Sequence, residues 1–544
     1  MSLSSEAVEA ARASNERLRK AVDAALENGR TITNKGRDID QHQVHSERLA
    51  YLATEALAAE TLVTYAAQAH DNDPFAAECA TIFAGQVASR ARAQLGDFPE
   101  AFGVPASLVA DTVGSNDAAR FIAEAVKDAR IEALGREVVA RRGTPDSWLE
   151  SEEARLTRET VRDFARSEVA PLAQHIHLND DLVPESIIGK MAELGFFGLA
   201  VPEQYGGQGM GNLAMIVTTE ELSAASLAAA GSLITRPEIL TKALLAGGSE
   251  EQKKHWLPKL AAGEIMAAIS VTEPDTGSDV ASVKVRAEKG EQNGKAGYFI
   301  SGAKAWCTFA GRANVIAMLT RTDPDLAKGA KGLSLFIVPK DSFPGHEFVM
   351  KQPGGGTIEG KADRTPGYRG MHSYTLQIDR YFVPAENLVG GEGKGFYLQM
   401  SGFAAGRLQT GGRASGLAQA ALEAAAQYAN ERSQFGQPIG SYQLTQFKLG
   451  RMAVEIAAAR QLTYHAARVF DQDEGRALEP AMAKLFACDV AVRTTQEAQQ
   501  LHGGWGFAEE FPICRYVVDA LVLPIFEGVK PILELKVIAR SLLG

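Results

Sequence analysis

Val283-Lys-Val-Arg-Ala287, Tyr298-Phe-Ile300, Val315-Ile-Ala-Met-Leu319, Leu333-Ser-Leu-Phe-Ile-Val338 and Tyr374-Thr-Leu-Gln-Ile378 are short apolar or alternating runs set between Gly, Pro and Asp turns. Such runs predict strands. All fall between about 264 and 395, so a small antiparallel barrel or sandwich is expected there. On either side the period is helical. From Trp148 to about Gly263 helices are broken only by the turn formers of Val201-Pro-Glu-Gln-Tyr-Gly-Gly-Gln-Gly209. After Gly395 the chain is expected to be helical to its end, with alanine-rich runs such as Leu417 to Arg432 and Leu444 to Phe470. Residues 1 to about 147 are alanine-rich and nearly free of β-branched runs, and read as several amphipathic helices. Gly143-Thr-Pro-Asp-Ser147 marks a boundary, with Ser147 or Asp146 able to cap the next helix. The fold class is therefore mainly α with a central β domain. Its expected divisions are 1–147, an N-terminal helical extension; 148–263, helical; 264–395, β; and 396–544, a C-terminal four-helix domain.

A chain of 544 residues is too long for one core. With 45% hydrophobic and 23% charged residues it has an ordinary globular composition. A net charge of −11 argues against a nucleic-acid partner. Cys79, Cys307, Cys488 and Cys514 are widely spaced and form no CxxC pair, so neither a disulfide framework nor a metal site is expected. No apolar run approaches the roughly 18 residues of a membrane span. Met1 to Ala13 carries glutamates and no apolar core, which reads as neither signal nor transit peptide. A cytoplasmic location is the expectation.

An internal similarity runs between the two ends. Thr64-Tyr65 with Ala66-Ala67 parallels Thr463-Tyr464 with Ala466-Ala467. Ile82-Phe-Ala-Gly-Gln-Val-Ala-Ser-Arg90 parallels Leu485-Phe-Ala-Cys-Asp-Val-Ala-Val-Arg493. Either the N-terminal helices are a degenerate copy of the C-terminal ones, or two alanine-rich helical segments have converged. The N-terminal segment has no counterpart of Gly503-Gly504 or of Glu527, so it is expected to be non-catalytic.

Chemistry concentrates in a few phrases. In Pro524-Ile-Phe-Glu-Gly528 a glutamate follows an apolar run, Ala520 to Ile525, that is expected to be buried. Burial disfavours a charged carboxylate and so moves it toward proton exchange near neutral pH, while Gly528 lets a substrate lie against the backbone. The plainer alternative is a carboxylate capping the helix that begins near Pro531. Val271-Thr-Glu-Pro-Asp-Thr-Gly-Ser-Asp-Val280, Gly302-Ala-Lys-Ala-Trp-Cys-Thr308, Glu431-Arg-Ser-Gln-Phe-Gly436 and Gln500-Leu-His-Gly-Gly-Trp-Gly506 stand before it. No G-x-G-x-x-G enters a helix after a strand. Gly390-Gly-Glu-Gly-Lys-Gly395 follows Val383-Pro384 and reads as a turn, which disfavours a nicotinamide domain.

These phrases, in this order and with Glu527 last, resemble the acyl-CoA dehydrogenase family over about residues 150 to 544. Length and the N-terminal extension resemble most the branch that oxidises (2S)-methylsuccinyl-CoA. The resemblance implies a FAD-dependent α,β-dehydrogenation with Glu527 as the base. It implies that Val271 and Thr272 contact the isoalloxazine, Ser278 the pyrophosphate region, and that Trp306 lies along the flavin with Thr308 near N5. Arg432 and Phe435, read at i and i+3 on one helical stripe, would reach a neighbouring subunit's FAD, and Gln443, Gln500, Gly503 and Gly504 would cradle its adenosine half. A homo-oligomer follows, expected to be a dimer. An electron transfer flavoprotein would take the electrons, or oxygen if the chain is an acyl-CoA oxidase. A non-catalytic protein on the same scaffold is the alternative of a different class. Gly406 stands where some members carry another base, so Glu527 has no rival there, and Arg407 reads as structural. Val529, Lys530 and Pro531 depart from the family pattern and put the usual adenine contacts of that segment in doubt.

A carboxylate on the acyl group needs a cation or several donors. Ser223 to Leu227 lacks the arginine of glutaryl-specific relatives. Arg236, Arg364 and Arg369 remain, the last two in the glycine-rich Gly354-to-Gly370 loop. His372 reads as a satisfied loop histidine.

Overall fold

The computed structural model describes residues 3–69, 73–146, 148–149 and 151–544; Ser147, one of the two expected caps, lies outside them. In chain order the longer helices are α1 (Leu3–Ile32), α2 (Gln43–Ala69), α3 (Pro74–Asp97), α4 (Asp128–Arg141), α5 (Glu152–Phe164), α6 (Gly211–Ala225), α7 (Thr235–Gly247) and α8 (Glu250–Ala261). Strands follow: β1 (Ala267–Ser270), β2 (Arg286–Gln292), β3 (Lys295–Thr308), β4 (Val315–Arg321), β5 (Leu333–Pro339), β6 (Glu347–Lys351), β7 (Thr357–Ala362), β8 (Ser373–Pro384) and β9 (Leu388–Val389). Then come α9 (Gly395–Glu431), the short β10 (Ser433–Gln434) and β11 (Gln437–Pro438), and α10 (Gln443–Gln472), α11 (Leu478–Leu501) and α12 (Pro512–Ala520). The chain forms two compact units, Thr157–Gln409 and the remainder.

In the unit Thr157–Gln409 the strands run in the order β6-β7-β8-β3-β2-β4-β5-β9, with β1 added beside β4. β4 is buried along its whole length. Val315, Ala317 and Leu319 join one apolar cluster with Leu240, Leu244 and Leu257 of α7 and α8. Ile316 and Met318 join the other, with Ile358, Leu376 and Tyr381 of the remaining strands. Covered on both faces, β4 reads as a continuous apolar run, without alternation. Two expectations need correction here. Val283 and Val285 precede β2 as buried loop residues, and Arg321 donates to the Val283 carbonyl at 2.9 Å. The stretch 354–370 is not all loop, because β7 occupies Thr357–Ala362.

In the other unit α2 with α3, and α10 with α11, form two helical pairs. Phe83 and Phe486 hold the same place in the two similar phrases, and they meet edge to face with centroids 5.7 Å apart. Arg90–Glu55 at 2.9 Å joins one pair, and Arg493–Glu455 at 3.0 Å joins the other. α4 lies against α10 at two glycines. A Cβ on Gly135 would sit 1.7 Å from the Gln446 carbonyl oxygen, and one on Gly450 would sit 2.1 Å from that of Ile131. Only glycine permits such close backbone approach. Ser151, not Asp146, caps α5, its hydroxyl accepting from the Ala154 amide at 3.1 Å. The C-terminal helices are interrupted by the β10–β11 ribbon, so the chain is not helical throughout after Gly395.

Candidate active site

Glu527 follows the turn after α12. Its side chain is almost wholly buried and its φ of +55° is left-handed, a conformation that costs a non-glycine residue about 1–3 kcal/mol; Gly528 follows at φ +100°. The run before it is only partly buried: Ala520 and Leu523 are enclosed, but Leu521 and Ile525 are exposed, contrary to expectation. The next helix begins with Val529 at its N-cap and no side-chain cap, so Glu527 is not a capping residue. Two buried cations surround it. Lys484 of α11 donates to the Phe526 and Gly528 carbonyls, each at 2.5 Å. Arg413 of α9 stands 4.0 Å from the Glu527 carboxylate, lies over the Phe526 ring at 4.6 Å and donates to Thr410 at 2.6 Å. Just beyond, Lys530 holds both oxygens of Asp489 at 2.9 and 2.8 Å.

The phrases Val271–Val280 and Gly302–Thr308 meet in the β unit. The Ala305 amide donates to the Thr272 carbonyl at 2.9 Å. Fully buried Lys304 donates to the Val271 carbonyl at 2.8 Å and to Glu273 at 3.1 Å. Glu273 also accepts the Lys284 and Val285 amides, each at 2.8 Å. Burial pushes the Lys304 ammonium down to about 8, against the pull of Glu273. A register shift in β3 between Lys304 and Cys307 turns Trp306 outward at φ +57°, with 59% of it exposed. Trp306 is thus presented, not packed in a core. Buried Thr308 and half-buried Ser373 share a hydroxyl–hydroxyl bond of 2.9 Å. Thr272 is half-buried and Ser278 exposed. An exposed indole two residues from a buried hydroxyl, on pinned backbone, fits a planar aromatic cofactor edge.

Arg432 is the first residue after α9 and Phe435 is the 96% exposed tip of the β10–β11 turn at φ +52°, so the two do not share a helical stripe. Their i, i+3 spacing belongs to a hairpin. Gln500 is exposed, and a Cβ on Gly503 or Gly504 would meet nothing within 4 Å. That open backbone fits close approach by a phosphate or sugar. Gln443 donates to Glu132 of α4 at 2.9 Å.

Of the three arginines, Arg364 is exposed. Arg369 is committed to the fold: it donates to the His177 carbonyl at 2.9 Å and lies 3.4 Å from Asp180. Arg236 is buried in the first turn of α7, helical although Pro237 follows it, and contributes to the electrostatics around Cys307. His372 is buried and pairs with Asp180 at 3.0 Å.

Sequence spacing gave no sign of Lys484 or Arg413 as neighbours of Glu527, and Lys304, although inside the phrase Gly302–Thr308, was not singled out. The signal was a lone lysine in an apolar run, Ala481-Met-Ala-Lys-Leu-Phe-Ala487, since a buried lysine must be paired. Nor was the grouping of Asp180, His346 and His372 legible, whose ligand atoms lie within 4.8 Å of one another. Arg369 shares the Asp180 oxygen bonded to His372, which makes the group a salt network. No described helix is long and apolar enough to cross a membrane.

Three family models match in chain order: acyl-CoA dehydrogenase N-terminal domain over 151–264, middle domain over 268–381 and C-terminal domain over 393–543. A (2S)-methylsuccinyl-CoA dehydrogenase of Cereibacter sphaeroides is 44% identical over 424 residues, covering 76% of this chain and 74% of the relative. A chain solved in work on the electron transferring flavoprotein of Acidaminococcus fermentans superposes with a TM-score of 0.65 at 31% identity, covering 72% of this chain and 98% of its own. A glutaryl-CoA dehydrogenase of Mycobacterium smegmatis in complex with FADH2 gives 0.62 at 26% identity, covering 71% and 94%.

Proposed function

Because the chain belongs to the acyl-CoA dehydrogenase family of oxidoreductases acting on CH–CH groups, we propose that it desaturates a short branched acyl-CoA between Cα and Cβ. The substrate we assign is (2S)-methylsuccinyl-CoA, giving mesaconyl-CoA. The observation that carries the reading is Glu527, a buried carboxylate held in a left-handed turn between two cation-bound carbonyls, in a chain 44% identical to a methylsuccinyl-CoA dehydrogenase.

Glu527 takes the α proton. Gly528, without a side chain, leaves room for the thioester beside it. Val271, Thr272, Ser278, Trp306 and Thr308 would hold the ring and pyrophosphate of FAD, and Arg432, Phe435, Gln500, Gly503 and Gly504 the FAD of a second subunit. Gln443, which gives one N–H to Glu132, would join them through the rest of its amide. Bound FAD supplies the acceptor for the hydride leaving Cβ, which no side chain offers. Arg236 is the buried cation assigned to the substrate carboxylate, with Arg364 and Arg369 as the alternatives. Electrons pass on to an electron transfer flavoprotein, in the cytoplasm.

We read the assembly as a homodimer. Phe435, Leu444, Trp505, Phe507, Leu521 and Ile525 are all exposed on the C-terminal elements, apolar side chains that a second copy could cover. The Phe83–Phe486 contact and the paired Glu–Arg bridges support the N-terminal helices as a degenerate copy of α10 and α11.

The test is anaerobic titration of the FAD-loaded protein with a panel of acyl-CoAs, following loss of the flavin absorption band. Methylsuccinyl-CoA should bleach it most effectively. Bleaching only by an uncharged branched acyl-CoA would move the substrate assignment, and fast reoxidation by oxygen would make the enzyme an oxidase.

A further inference from the structure

Lys484 is fully buried in the second turn of α11, where a cation is stable only with close partners. It finds them at both ends of one residue. Its ammonium donates to the carbonyl of Phe526 and to that of Gly528, each at 2.5 Å, and so ties together the residues on either side of Glu527. Two carbonyls two residues apart converge on one point only if the intervening backbone bends sharply, and Glu527 does so at φ +55°. Left-handed backbone is unfavourable for glutamate and persists only where surrounding structure over-determines it. Lys484 supplies that constraint, and it sets a positive charge on the backbone carbonyls of the two residues that flank Glu527. Arg413 supplies a second from α9.

We propose that Lys484 is a positioning residue for Glu527: it holds the base in its strained turn and sets its charge state, without touching the substrate. The proposal rests on the reading of Glu527 as the base. The ionisable groups packed around this point are Arg413 from α9, Cys488 and Asp489 from α11, Lys530 and Glu534 from the C-terminal helix, and Tyr51 from α2. Lys530, the other nearby ammonium, is already paired with Asp489, so its charge does not replace that of Lys484.

The test compares Lys484→Met, which keeps length and loses charge, with Lys484→Arg, which keeps charge. An infrared difference titration of the FAD-loaded proteins, with Glu527→Gln as the blank, reads protonation of Glu527 directly and needs no substrate. In Lys484→Met its midpoint should rise by half a pH unit or more, while Lys484→Arg should stay near wild type. An unchanged midpoint in a folded Lys484→Met protein overturns the proposal, and if that variant fails to fold, a wild-type midpoint in Lys484→Gln does so. In turnover with acyl-CoA, Lys484→Met should lose about tenfold or more in kcat with KM and flavin content preserved, and its acid limb should move to higher pH. A rise in KM with kcat unchanged also overturns it. Failure of the dehydrogenase reading itself shows separately, as wild-type flavin that no acyl-CoA reduces.

Discussion

Tyr51, on the second N-terminal helix, donates a 2.6 Å hydrogen bond to Asp489, and the same carboxylate is held by Lys530, three residues beyond Glu527. Burial and the Asp489 charge push the Tyr51 hydroxyl far above its ordinary range, so it remains a donor. The N-terminal helices are therefore bonded to the segment that carries the base.

Removal of residues 1–147 should expose the α10 surface at Gln446 and Gly450 against which α4 closes, and take from Asp489 its bond to Tyr51. Aggregation or higher assembly is the expected outcome in sedimentation, with Tyr51→Phe intermediate through loss of one charged hydrogen bond, about 1.5–3 kcal/mol. A soluble, dimeric and fully active truncated protein would show the helices to be an appendage.

Glu527→Gln should retain FAD and thermal stability while slowing flavin reduction at least about 10³-fold, because only the proton acceptor is lost. Stopped-flow reduction by methylsuccinyl-CoA checks this. Retention of more than about a tenth of the rate would place the base elsewhere.

Arg236→Leu should raise KM and lower kcat for methylsuccinyl-CoA and spare 2-methylbutyryl-CoA, since a desolvated carboxylate without a cation loses several-fold more than a methyl group does. Equal losses on both substrates would make Arg236 structural, and exposed Arg364 would inherit the role.

Arg432 leaves the end of α9 exposed in the single chain, as a residue serving a neighbouring subunit's cofactor must be. Arg432→Ala should therefore lower the flavin-to-protein ratio after dialysis. An unchanged ratio removes it from the cofactor site.

Lys304 is held down to about 8 in the folded protein against an ordinary lysine value of 10.5. Below pH 8 the folded state therefore carries the full penalty of a buried ammonium. That penalty fades as pH rises from about 8 toward 10.5, where the unfolded chain binds the extra proton. Wild type should gain stability relative to Lys304→Met across that window, by an amount on the order of 2–3 kcal/mol. Denaturant melts of both proteins at pH 7 and pH 10 measure it, and parallel pH profiles would contradict the assignment.

Local pattern was enough for much of this protein. Leu333–Val338 and Val315–Leu319 read as strands because a chain buried on both faces is apolar throughout, and the long alanine-rich runs read as helices because their spacing is local. The phrases around Thr272, Trp306 and Glu527 were visible for the same reason, each being a few adjacent residues. Phe435 was misplaced because a spacing of three fits a helix turn and a tight hairpin alike, and only backbone geometry separates them. β7 was missed because its glycine-rich neighbours read as loop until β6 and β8 pair with it. Lys484 lies 43 residues from Glu527, and Tyr51 lies 438 from Asp489. No periodicity spans such distances. Which buried cation meets which carbonyl is decided by helix packing, where side chains from remote segments must satisfy one another once water is gone.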